Sequence, residues 1–201
     1  MKILMIVLLG YLIGSIPFAL VIGKVFYRTD VREHGSKNLG GGNTGRVLGA
    51  KAGLAVMTLD ILKVSLVVCL AACLFGGEWA IVSGGLAAAI GHCYPVFARF
   101  KGGKAVATMY GFLFGLMVFA GYSPLVFFLP LAVFLIILYL TKIIAISSIG
   151  SAAAVTLFVA LTTDSVPVAL ALAVFTLLII VRHRKNIARM IRGEENKIKW
   201  M

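Results

Sequence analysis

Apolar runs recur along almost the whole chain, and a water-soluble fold of this size has too little interior to hide them. Seven stretches read as membrane-spanning segments: 3 to 23, 53 to 75, 79 to 98, 105 to 121, 124 to 141, 143 to 161 and 165 to 181. Each approaches the 20 or so mainly apolar residues that a spanning helix needs. Of the 201 residues, 61% are hydrophobic and 13% charged, with a mean hydropathy of +1.06; soluble domains carry roughly 25% charge. The expected architecture is all-α: a polytopic transmembrane helical protein of about seven spans, forming one domain over 1–201. The run that follows Met1-Lys2 is longer than a signal-peptide core and closes on no small-residue cleavage site, so it is expected to stay as the first span. Between spans, glycine, proline and charge do the punctuating, as in Gly76-Gly77-Glu78 and Gly121-Tyr122-Ser123-Pro124.

A formal net charge of +12 would suggest nucleic acid in a polar chain, but here it reports topology and anionic partners, and no nucleic-acid partner is expected. Lysines and arginines collect on the cytoplasmic side of membrane proteins. With the N-terminus outside, that side receives Lys24, Arg28, Arg32, Lys37, Arg46 and Lys51, then Arg99, Lys101 and Lys104, then Lys142, then the tail from Arg182 to Lys199. Seventeen of the 19 cations thus fall inside, while the outer loops hold Glu78 and Asp164. The consistent solution is N-terminus out and C-terminus in. Cys69, Cys73 and Cys93 all lie in apolar stretches without a CxxC pair and read as small hydrophobic residues.

Two loops carry chemistry. The first runs Arg32-Glu-His-Gly-Ser-Lys-Asn-Leu-Gly-Gly-Gly-Asn-Thr-Gly-Arg46, interleaving glycines with the donors Ser36, Asn38, Asn43 and Thr44. Such a loop can aim several N–H groups at one anion; its plainer reading is a flexible linker. The second runs from Gly91-His92 to Ala107-Thr108, with Lys101 and Lys104 bracketing Gly102-Gly103 just before an apolar helix. Cations beside a helix N-terminus make a phosphate site, although the three cations could also be positive-inside anchors. The spacing is not that of a Walker A loop, so anion binding without nucleotide hydrolysis is expected.

Asp60 and Lys63 sit three residues apart within the second apolar segment, close enough to pair along one helix face. A mid-membrane acid costs roughly 2.5 to 3.5 kcal/mol on insertion scales and normally has a task. Orienting Arg46 or another loop cation, and gluing helices, remain equally open. Ser147 and Ser148 either contribute donors or simply let helices pack. The tail Arg182-His-Arg-Lys-Asn-Ile-Ala-Arg189 places His183, Asn186 and Ile187 on one helical face, or lies as a basic amphipathic helix on anionic lipid. No Ser-His-Asp set, GxSxG elbow, HExxH or HxxxxD pair is present, so no resident nucleophile or dedicated base is evident. A site built to hold anions favours an activated, phosphorylated donor, and neither metal nor cofactor is expected.

Over essentially its whole length the chain resembles the bacterial acyl-phosphate:glycerol-3-phosphate acyltransferases. Three blocks carry the likeness: Gly35-Ser36-x-Asn38-x-Gly40-x-x-Asn43-x-x-Arg46; Gly91-His92-x-Tyr94-Pro95-x-Phe97-x-x-Phe100-Lys101-Gly102-Gly103-Lys104-x-Val106-Ala107-Thr108; and Arg182-His183-Arg184-x-Asn186-Ile187-x-Arg189 with Gly193-x-Glu195. The resemblance implies a seven-helix bacterial membrane fold whose active site faces the cytoplasm. It also implies transfer of a fatty acyl group from acyl phosphate to the 1-hydroxyl of glycerol 3-phosphate, giving lysophosphatidic acid and phosphate. By the same likeness Ser36, Arg46, Lys104, His183 and Asn186 would be catalytic. The Gly102-Gly103 loop with Lys101 would bind phosphate, and Glu195 would be structural. Asn38, Asn43, Thr108, His92, Ser147, Ser148, Asp60 and Lys63 are further expected substrate-binding residues. Expected partners are glycerol 3-phosphate, fatty acyl phosphate and membrane lipid, with the chain acting as a monomer. The chain departs from the usual family pattern in two places: Lys37 stands for a glycine, and Gly41-Gly42 for Ala-Thr. An organophosphate transporter would also want basic loops and an intramembrane Asp60–Lys63 pair, but the chain lacks the internal symmetry of most carriers.

Overall fold

The computed structural model describes residues 1–198, so the tail cation Lys199 lies outside the described residues. Its helices are α1 (Lys2–Gly14), α2 (Phe18–Tyr27), α3 (Gly41–Leu48), α4 (Ala50–Leu74), α5 (Glu78–Cys93), α6 (Val106–Phe119), α7 (Leu125–Thr141), α8 (Ile144–Thr162), α9 (Val166–Arg182) and α10 (Arg184–Ile191), with a 3₁₀ turn at Val96–Ala98. All seven apolar segments are therefore helical in whole or in large part. The first is broken: Pro17 has no N–H to continue the ladder, so the chain leaves α1 at Ser15 and restarts as α2 at Phe18. Chain contacts group the backbone into two compact units, Met1–Gly115 and Leu116–Met201, with the boundary inside α6.

Among the described residues, four helical stretches are long and apolar enough to cross a bilayer: Lys2–Tyr27 with its break, Ala50–Leu74, Glu78–Ala98 and Ile144–Thr162. Counting α9 and α10 as one span bent by 59° makes five. The expectation of about seven meets a geometric limit in α6 and α7, which have 14 and 17 residues. At 1.5 Å per residue they are about 21 and 26 Å long, short of a hydrocarbon core about 30 Å thick.

In the first unit the helices approach through small residues, the usual solution where lipid supplies no hydrophobic drive between helices. A side chain at Gly14 would overlap the backbone of Ala88, which lets α1 lie directly on α5. On α4 the residues Val56, Val64, Val67, Val68 and Ala71 are fully buried, while Leu62 and Leu66 on the opposite side stay half exposed. The first loop is less open than its glycines suggest, because Gly41–Leu48 folds as α3 and docks on the start of α4. Gly53 makes that docking possible: a Cβ there would stand 2.6 Å from Gly45 Cα and 2.8 Å from the Gly41 carbonyl. Ala19, Leu20, Ile22, Val31, Leu39, Ala52 and Val56 close a small core beneath the loop.

In the second unit α8 lies between α7 and α9. The hydroxyls of Thr156 and Thr176 share a 2.9 Å hydrogen bond between α8 and α9. The C-terminal strand of coil turns back, and the Ile198 N–H donates to the Lys142 carbonyl at 2.9 Å.

Both departures from the family pattern have local consequences. Lys37 holds φ +60°, the left-handed conformation that a glycine takes at no cost and that costs a side-chain-bearing residue about 1–2 kcal/mol. Gly42 is exposed in the first turn of α3 with nothing within 4 Å of where a Cβ would stand. Thermal unfolding in detergent should therefore show Lys37→Gly and Gly42→Ala each stabilising the protein by about 0.5–1 kcal/mol. Gly41→Ala, whose Cβ would meet the Gly53 carbonyl at 2.7 Å, should destabilise it.

Candidate functional site

The first loop is organised by Asn43, which is 3% exposed. Its Oδ1 accepts from the Ser36 N–H at 2.7 Å and the Ser36 hydroxyl at 3.0 Å, and its Nδ2 donates to the carbonyls of Val31 and His34. The Asn43 amide is thus engaged within the loop, and it sets the direction of the exposed Ser36. Asn38 is half-buried beside Gly40, and Arg46 is exposed on α3. At the loop entrance Asp30 takes two hydrogen bonds from the Arg32 guanidinium, at 3.0 and 2.6 Å, and one from the Arg32 N–H at 3.0 Å, with Lys24 Nζ 3.5 Å away. The side-chain hydrogen bond from Arg32 holds the Asp30 carboxyl well below the usual carboxylate range and raises Arg32 in return.

The intramembrane pair forms as its spacing suggested. Lys63 Nζ lies 2.7 Å from Asp60 Oδ1, both side chains almost fully buried, in an ion pair whose angle falls outside hydrogen-bond geometry. Neither open role for Asp60 describes the arrangement fully, because its second neighbour is not Arg46 but His92, whose Nδ1 is 3.5 Å from the same oxygen. Lys63 also lies 3.2 Å from His92 Nδ1, donates to the Ile16 carbonyl at 3.0 Å, and sits 5.6 Å from the Phe18 ring centre. That carbonyl belongs to the break between α1 and α2, where backbone acceptors lose their helical donors.

The second loop is laid against His92. The Gly103 N–H donates to the His92 carbonyl at 2.9 Å. A Cβ on Gly103 would overlap the imidazole, and one on Gly102 the His92 carbonyl, so only glycine fits at either position. Around these glycines Arg99, Phe100 and Ala105 hold φ +55°, +59° and +62°, a concentration of backbone strain that marks binding sites more often than linkers. Thr108, fully buried, donates to the Ala105 carbonyl at 2.9 Å and closes the first turn of α6. An open pocket of about 390 Å³ is lined by Asp30, Arg32, Glu33 and Lys37 of the first loop and by Arg99 and Lys101 of the second. Two loops far apart in sequence thus share a wall with four cations against two acids. Arg32 and Arg99 were not among the predicted site residues; an Asp-x-Arg spacing was the available signal for the first.

In the second unit His183 and Asn186 are 2% and 9% exposed. They are not on one uninterrupted helix, because His183 is the residue at which α9 stops and α10 begins. Its Nδ1 lies 2.8 Å from the Ile179 carbonyl. Glu195 accepts from Asn186 Nδ2 at 2.6 Å and from Arg189 Nε at 2.7 Å, orienting the asparagine. Ser147 and Ser148 are buried and donate back to the carbonyls of Ile143 and Ile144.

Taken together, the apolar helices, the buried ion pair and the glycine loops with their cation-rich wall define an integral membrane protein with a basic polar end. A family model described as "Glycerol-3-phosphate acyltransferase" matches residues 4–193, and the chain belongs to that family. It is 46% identical to a glycerol-3-phosphate acyltransferase of Geobacillus kaustophilus over 98% of this chain and 96% of the relative. With the Bacillus subtilis glycerol-3-phosphate acyltransferase it shares 41% identity over the full length of both. Among solved structures it superposes with a TM-score of 0.91 and 38% identity on PlsY (YgiH), an integral membrane glycerol 3-phosphate acyltransferase in its glycerol 3-phosphate form, covering 99% of this chain and 96% of that one.

Because the folded-state pKa of Asp30 is depressed, its bridge to Arg32 stabilises the loop fully above the unfolded value near pH 4 and is lost as pH falls through the depressed value. Hydrogen exchange should therefore find amides 28–40 protected at pH 5 and above and exposed on further acidification. Asp30→Asn should give the same loss at neutral pH while the α4 and α5 amides keep their protection. Glu195→Ala should release Asn186 and Arg189 together, at a cost of about 1–3 kcal/mol in thermal unfolding.

Proposed function

We propose that the protein is a glycerol-3-phosphate 1-O-acyltransferase that takes its acyl group from a fatty acyl phosphate. The observation that carries this reading is the Gly102-Gly103-Lys104 loop, held on a buried charge cluster and flanked by cations of both motif loops. The 1-hydroxyl oxygen of glycerol 3-phosphate attacks the acyl carbon, and the bond from that carbon to the bridging phosphate oxygen breaks. The hydroxyl proton passes to a phosphate oxygen of the donor, so lysophosphatidic acid and hydrogen phosphate leave. Acyl phosphate is activated enough to need no enzyme nucleophile. Catalysis is then proximity and electrostatics: cations hold two phosphates in contact geometry, and donors receive the oxyanion.

We assign Ser36, Arg46, Lys104, His183 and Asn186 to catalysis, and Asn38, Asn43, Lys101, Gly102, Gly103, Thr108, Ser147 and Ser148 to the substrate groups. Asp60, Lys63 and His92 serve the glycine loop from its buried side. The distribution of cations supports seven crossings with the N-terminus outside, α1 and α2 sharing the first. In that topology the short α6 and α7 are met by local thinning of the bilayer. The active site faces the cytoplasm of a bacterial cell, the acyl chain stays in the bilayer, and the chain works as a monomer.

Purified protein given palmitoyl phosphate should release phosphate only when glycerol 3-phosphate is added. Ser36→Ala and Lys104→Ala should each lower kcat/KM by about 100-fold or more, the size of effect seen when an oxyanion donor is lost. No release from folded wild type, or uptake of glycerol 3-phosphate into vesicles instead, would overturn the assignment.

A further inference from the structure

We infer that Asp60, Lys63 and His92 form a buried positioning unit that presses the Gly102-Gly103 loop into its phosphate-binding geometry, without any of the three touching the substrate. The inference rests on the reading of that loop as a phosphate site. Lys63 joins three separate elements at the point where α5 hands over to the loop: the α1–α2 break through the Ile16 carbonyl, α4 through Asp60, and α5 through His92. His92 Nδ1 faces the ion pair, 3.2 Å from Lys63 Nζ and 3.5 Å from Asp60 Oδ1. The opposite edge of the ring, Nε2, faces Gly103. The same residue's carbonyl receives the Gly103 N–H. His92 therefore meets the loop twice, with ring and backbone, while its ring orientation is set from behind by Lys63.

The strained residues on either side show why such a brace is needed. Arg99, Phe100 and Ala105 all hold positive φ, a conformation that persists only where the surroundings over-determine it. A pair that only glued α4 to its neighbours would have no need of a histidine whose far edge carries the loop. Asp60, Lys63 and His92 are buried together, at 1%, 4% and 6% exposure.

Two experiments in lipid nanodiscs separate positioning from glue. In the first, Asp60→Asn combined with Lys63→Met removes both charges and leaves neither stranded, and glycerol 3-phosphate binding is measured by calorimetry beside thermal unfolding and kinetics. The expected result is a folded protein whose affinity for glycerol 3-phosphate falls about tenfold, with KM raised to match and kcat within a few-fold of wild type. Unchanged binding, or kcat lost at unchanged KM, would overturn the inference. The second does not depend on that variant folding: Gly103→Ala should weaken binding strongly in the wild-type background and add little once His92→Ala is present. Additive effects would mean the loop does not rest on the imidazole. Wild type and Lys104→Ala serve as controls. Folded wild type that binds no glycerol 3-phosphate, or Lys104→Ala that binds it normally, would overturn the phosphate-site reading and this inference with it.

Discussion

Asp60 and Lys63 have no water available to them at their depth in α4, and each alone would be among the most unfavourable groups in the molecule. Their mutual attraction offsets part of that cost, but the pair lies outside hydrogen-bond geometry, so the protons of the ammonium need other acceptors. The remaining needs are met by a helix-break carbonyl at Ile16 and by the imidazole of His92. Much of the first unit follows from that requirement. The break must lie where Pro17 puts it, α1 must come close enough to α5 for Gly14 to rest on Ala88, and His92 must be the last buried polar side chain before the chain turns out to the glycine loop.

The polar end depends in turn on close contact rather than on many hydrogen bonds. Gly53 brings α3 onto α4, and Gly102 and Gly103 bring the second loop onto His92. Rigid seating of both loops on one helical base is a condition for catalysis by proximity, since a misplacement of about 1 Å can cost about 100-fold in rate. Strain stored at Lys37, Arg99, Phe100 and Ala105 is tolerable because the base beneath them is packed and dry.

Much of this was legible in the residues, and the failures share a cause. The apolar segments were visible because hydropathy is a local property, and the Asp60–Lys63 pair because three residues is one helical step. His92, 29 positions from Lys63, could be named as part of a motif but not joined to the pair, since that contact exists only once α4 and α5 pack. Pro17 was in plain view, yet the apolar run continues through it and hid the break. The helix over Gly41–Leu48 goes against the helix propensity of its three glycines and forms because α4 gives it a surface to dock on. Asn43 was recognised as a donor, whereas its work in organising Ser36 depends on a turn that spacing alone does not specify. On the tail, periodicity put His183 and Asn186 on one face but could not see that the helix stops at His183.

The bond from Lys63 to Ile16 reaches back 47 residues, and its contact with His92 reaches forward 29. A ribosome makes these groups in order, so the Ile16 carbonyl and Asp60 are both made before the imidazole of His92. Two of the three groups that meet the Lys63 charge thus precede it in the chain, and the third comes with α5. One residue of α5 therefore brings two things at once, the last partner of the buried charge and the support on which the second loop is seated.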